Sequence, residues 1–99
     1  MEAERQLTLE IVSAPTANSI SVSYLGKELV SADQRGSYSG TVRLPSSSPA
    51  DLVVMATWQG TQRAALHVQA SNEDGPVAEA SYWGTDRIDD VFTIPESVP

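Results

Sequence analysis

DLVVMATW, residues 51–58, and RAALHVQA, residues 63–70, are the two stretches on which the fold turns. In the first, Leu52, Val54, Ala56 and Trp58 alternate with Val53, Met55 and Thr57. In the second, Ala64, Leu66, Val68 and Ala70 alternate with Ala65, His67 and Gln69. A two-residue repeat puts one set of side chains on one face only if the chain is extended, because a helix aligns positions three and four apart instead. Both stretches are therefore predicted as strands. The first is apolar on both faces and reads as central in a sheet. Gln59-Gly60-Thr61 between them predicts that the two pair as a hairpin.

Outward from this pair the same alternation recurs. Leu7, Leu9 and Ile11 form one set before Ala14-Pro15-Thr16-Ala17-Asn18 breaks the run, and Ile20, Val22 and Tyr24 alternate with Ser19, Ser21 and Ser23. Gly26-Lys27 turns the chain, Glu28 to Ser31 predicts a short edge strand, and Ala32 to Gly36 reads as loop. Tyr38, Gly40, Val42 and Leu44 share one strand face, ending at Pro45-Ser46-Ser47-Ser48-Pro49. Beyond Ala70, Asn72-Glu73-Asp74-Gly75-Pro76 predicts a loop, Val77 to Trp83 a strand, Gly84 to Asp90 a loop with one helical turn, and Val91 to Ile94 a last strand. No window shows a helical apolar stripe. Seven or eight short strands, with turn signals at intervals of about ten residues, predict an all-β antiparallel sandwich. Residues 1–99 form one domain on this reading, with an ordered core from about residue 7 to 94.

Two of these stretches resemble fibronectin type III and related immunoglobulin-like sandwiches. Residues 14–24, a turn followed by an alternating strand that ends in an aromatic, are similar to that family's second strand, with Tyr24 where tryptophan is usual. Residues 66–75 are similar to its sixth strand and the following loop, with Ala64 where the family places a tyrosine. The stretch from Asp51 to Ala70, with Ser81-Tyr82-Trp83-Gly84 after it, also resembles uncharacterised extracytoplasmic sandwich domains of bacterial membrane-anchored proteins. What the resemblance implies is an accessory or interaction module.

Composition narrows the chemistry. The chain has 99 residues, no cysteine, and thirteen acidic against six basic side chains for a formal charge of -7. Disulfides and thiolate metal sites are thereby excluded. An acidic surface repels nucleic acid and anionic lipid, so neither is an expected partner, and it keeps a small domain soluble and monomeric. No apolar run is long enough to cross a bilayer as a helix, and the first residues lack a signal peptide's basic start, which predicts a cytosolic chain or a soluble piece of a larger one.

No enzyme motif is present. Phosphate-loop, dinucleotide and zinc-helix patterns are missing, and no serine sits in a Gly-x-Ser-x-Gly elbow. The single histidine, His67, alternates onto the face expected to meet solvent, which predicts no general-base role. No cofactor is expected. Asp86, Asp89 and Asp90 are the candidate ligands for a hard cation, together with a second acidic loop at Glu73-Asp74. The plainer expectation is that Asp86 caps a helical turn and the others are solvated. Trp58 is expected in the core. Tyr82 and Trp83 are neighbours whose side chains must point to opposite faces of a strand, so one lies outside. The expectation is that a loop covers Trp83, and the alternative is an outward ring that stacks on a sugar or anchors a partner.

These observations predict a non-catalytic accessory or protein-interaction module of a larger extracytoplasmic bacterial protein, periplasmic or at the cell surface. The alternatives are a carbohydrate-binding module using Trp83 and Tyr82, or a free-standing, cytoplasmic acidic inhibitor of a basic partner.

Overall fold

The computed structural model describes residues 4–33, 37–45, 48–58 and 63–96. Eight strands follow one another: β1 (Glu4–Ala14), β2 (Ser19–Tyr24), β3 (Lys27–Asp33), β4 (Ser37–Pro45), β5 (Ala50–Thr57), β6 (Ala64–Asn72), β7 (Gly75–Gly84) and β8 (Arg87–Ile94). They form two four-stranded sheets, sheet I in the order β4-β1-β6-β7 and sheet II in the order β3-β2-β5-β8, with every pairing antiparallel.

The alternation seen in the sequence is what makes two layers. Leu7, Leu9, Ile11, Leu44, Leu66 and Val68 of sheet I face Ile20, Val22, Leu52, Val54, Phe92 and Ile94 of sheet II, and all are buried. Each such side chain contributes on the order of 1.5–3 kcal/mol by leaving water. The intervening residues point outward, so each sheet has one dry and one wet face.

Sequence expectation and structure part in four places. The strands β5 and β6 are not a hairpin: β5 pairs with β2 and β8, while β6 pairs with β1 and β7. Both carry a full apolar face, and two such faces are better buried against each other across the sandwich than side by side. The expected turn between them, at residues 59–61, lies outside the described residues. The expected loop at Asn72 to Pro76 is instead a tight hairpin, with Asn72 paired to Gly75 and the Asn72 Oδ1 accepting the Asp74 N–H at 2.8 Å. Gly75 takes φ 127° there, a conformation closed to other residues. The expected loop with a helical turn from Gly84 to Asp90 is a turn at Thr85 and Asp86, after which β8 starts at Arg87. Two adjacent aspartates had masked the alternation of Ile88, Phe92 and Ile94. Finally, β3 is an edge strand as expected but extends from Lys27 to Asp33, the hairpin partner of β2 through a turn in which Leu25 (φ 51°) and Gly26 (φ 80°) both have the left-handed backbone that type I′ two-residue hairpins require.

Strand order also bears on the immunoglobulin resemblance. In the immunoglobulin arrangement the first two strands are neighbours in one sheet, whereas β1 and β2 here lie in opposite sheets. Counted from β3 and closed from β8 back to β1, the neighbours in both sheets are those of an eight-stranded jelly roll. What is shared with the immunoglobulin-like domains is the two-sheet architecture.

Candidate ligand-binding face

The connection from β7 to β8 decides what Trp83 does. Strand β7 is an edge of sheet I and β8 an edge of sheet II, so the chain must cross the sandwich between Gly84 and Arg87. It does so on the inner side. A Cβ on Gly84 would stand 2.6 Å from the Arg87 carbonyl oxygen and 3.0 Å from Ile88 Cγ1, so only glycine lets the turn pass this close. The turn is held inward by the Trp58 N–H, which donates to the Asp86 carbonyl at 2.9 Å. Among the described residues, the turn itself therefore does not fold over the outer face at this point. Trp83 is accordingly 71% exposed, against the expectation that a loop covers it.

Trp58 is the other tryptophan and has the opposite character. It is buried, and its Nε1–H donates to the Pro15 carbonyl at 2.7 Å, joining the end of β5 to the β1–β2 connection. That connection is further fixed by the Asn18 N–H donating to Thr57 O at 2.7 Å and by the Ala17 N–H donating to Ser13 Oγ at 3.1 Å.

The register places Trp83 in a row across three strands. It lies opposite Ala65 of β6, which lies opposite Ala14 of β1. The next row on the same outward face is Ser81, His67, Val12 and Ser37, and the one after it Glu79, Gln69, Glu10 and Ser39. Strands are about 4.8 Å apart and rows on one face about 7 Å apart. The two alanines therefore form a low shelf roughly 10 Å long beside the indole, bordered by the taller row through His67. Glu79 organises the polar side: its Oε2 accepts a 3.1 Å hydrogen bond from Gln69 Nε2 and stands 3.6 Å from His67 Nε2.

Tyr82 does not join this face. It points the other way, packs against the core half-buried, and its hydroxyl donates to the Val91 carbonyl of β8 at 3.2 Å. Burial, and after it the Asp90 carboxylate, raise the phenol above its ordinary pKa of 10.0.

Nor does the structure bring the three aspartates together as ligands. Asp86 sits in the turn, whereas Asp89 and Asp90 are successive strand residues. Asp89 pairs with Arg87 at 3.3 Å, and Asp90 Oδ1 accepts the Val91 N–H at 2.9 Å. Among the described residues no three acidic or histidine side chains are grouped to hold a metal ion. Glu73 and Asp74, the second acidic loop, border an open polar groove of about 920 Å³ with Arg5 and Glu96 at the far end of the sandwich from Trp83.

Compared with family models, characterised proteins and solved structures, the chain matches none of them. The site is therefore read from its own geometry. The signal for it in the sequence was the dipeptide Trp83-Gly84, a large aromatic followed by a residue that permits a sharp inward turn.

Proposed function

We propose that this domain is a non-catalytic binding module, carried as an accessory part of a larger extracytoplasmic protein, and that its working surface is the outer face of sheet I around Trp83. The observation that carries this reading is the uncovered indole of Trp83 beside the Ala65–Ala14 shelf. An exposed tryptophan at the end of an edge strand contributes little to the core, but it offers a partner a large, rigid contact area. Support for a role without catalysis comes from the sequence, which has one histidine, no cysteine and no nucleophile motif. A sandwich suits such a role because its sheets hold outward side chains in fixed register.

The test is to follow backbone amide resonances of the isotopically labelled domain during titration with panels of oligosaccharides and peptides. On this proposal, saturable shifts gather at Ala65, His67, Ser81 and Trp83. Shifts gathered instead on the outer face of sheet II, around Val53 and Val91, would refute it.

A further inference from the structure

Resting on the binding face just proposed, we infer that its ligand is an uncharged glycan built of pyranose rings, stacked on Trp83 and hydrogen-bonded by the polar row beside it. Charge is the first argument. Just before β6, two residues from the Ala65 that pairs with Trp83, stands exposed Arg63, whose fixed positive charge does not suit a cationic group over the ring. Further along the same face Glu10 and Glu79 flank Gln69, and the whole domain carries -7, so an anionic chain lying on the sheet is repelled. A neutral ligand meets neither penalty.

Apolar area is the second argument. A stable protein interface covers about 800 Å² on each partner around a largely apolar centre. Here Val12, Ala14, Ala65 and Trp83, with Pro45 apart from them at the far end of β4, are the apolar outward residues of β1, β4, β6 and the Glu79–Gly84 part of β7, and the rest of that surface is polar. One indole and three small aliphatic side chains do not build such a centre. They do match a sugar ring, which presents a face of C–H groups to an aromatic surface and a rim of hydroxyls to hydrogen-bonding side chains. His67, Gln69, Glu79 and Ser81 supply donors and acceptors for that rim. The Gln69–Glu79 hydrogen bond orders two of them before any ligand arrives, which lowers the entropy lost on binding. The shelf over Ala65 and Ala14 runs across the strands, so a chain of rings lies across β7, β6 and β1 rather than along them.

The experiment uses the whole 99-residue chain and tryptophan fluorescence. The probes are neutral oligosaccharides of glucose, mannose, xylose and N-acetylglucosamine, with oligogalacturonate as the anionic control and a lysine-rich peptide as the cationic one. At least one neutral series should give a saturable change that strengthens with chain length and is insensitive to salt. Followed by backbone amide shifts, since Trp83 is itself the fluorescent reporter, Trp83→Phe should weaken binding about tenfold and Trp83→Ala should abolish it, while Val91→Ala on the opposite sheet leaves it unchanged. Ala14→Gln, which fills the shelf and spares the ring, should weaken binding of long chains but not of disaccharides. A flat response to every neutral series overturns the inference, as does a response confined to a charged probe. If that charged probe shifts the amides around Trp83, the glycan assignment fails and the binding face stands. If it shifts those of sheet II, both fail.

Discussion

Tyr82 and Trp83 are consecutive in β7 and belong to different parts of the molecule: the Tyr82 hydroxyl reaches the Val91 carbonyl of the opposite sheet at 3.2 Å, while Trp83 stands in solvent above Ala65. Strand alternation forces the separation, and it predicts unequal costs of substitution. Trp83→Ala should shift the urea midpoint by no more than about 0.5 kcal/mol in stability, as expected for an exposed site. Tyr82→Ala removes a ring packed on the core and should cost on the order of 2 kcal/mol or more. Equal losses would contradict the placement of the two rings.

Trp58 ties three segments together, through its ring, its indole N–H to Pro15 and its backbone N–H to Asp86. Trp58→Ala should cost about 3–5 kcal/mol, most of it from the cavity. Trp58→Phe keeps much of the volume and loses the hydrogen bond, so it should cost about 1–2 kcal/mol. Chemical denaturation of the two variants checks the order.

Gly84 is required by contact with its surroundings. A methyl group there meets the Arg87 carbonyl, a backbone atom that cannot swing away. Gly84→Ala should therefore destabilise by about 1–3 kcal/mol and displace the turn under Trp83. A loss of glycan or partner binding that exceeds the stability loss, measured well below the unfolding midpoint, is the expected signature.

Alkaline pH should report on Tyr82. Its phenol is held protonated in the folded state by burial and by the negative charge of Asp90, so the folded pKa lies above the unfolded value of 10.0. The native state then binds more protons than the unfolded one above that pH, and stability falls as pH rises. The contribution is complete below about pH 10 and is lost as the pH climbs through the folded pKa. In Tyr82→Phe this part of the decline should vanish, bringing the urea midpoints of the two proteins together as the pH is raised. Parallel decline in both would contradict the assignment.

The strands were legible because period-two alternation is imposed by the extended chain itself: Leu52-Val54-Ala56 and Leu66-Val68-Ala70 declare their faces without reference to any partner. Which strands pair was not legible. Placing β5 and β6 in different sheets depends on how two apolar faces meet across the core, and nothing within residues 51–70 encodes that choice. Asp89 and Asp90 hid β8 for a related reason, since edge strands tolerate polar residues at positions where central strands do not. The separation of Tyr82 from Trp83 followed from alternation alone. That Trp83 is the uncovered one did not, because it depends on the turn at Gly84 passing inside the sandwich, and that path is set by the Trp58 to Asp86 hydrogen bond, twenty-eight positions away in the chain.

Acrylamide quenching of Trp83 fluorescence in the Trp58→Phe variant, free and with a saturating ligand, tests the central claim most directly. An uncovered indole that serves as the binding anchor should be quenched almost as readily as free tryptophan in the unliganded domain, and should become shielded when ligand is bound. An indole already shielded in the free protein, or one that stays fully quenchable while ligand saturates the domain, would contradict the account.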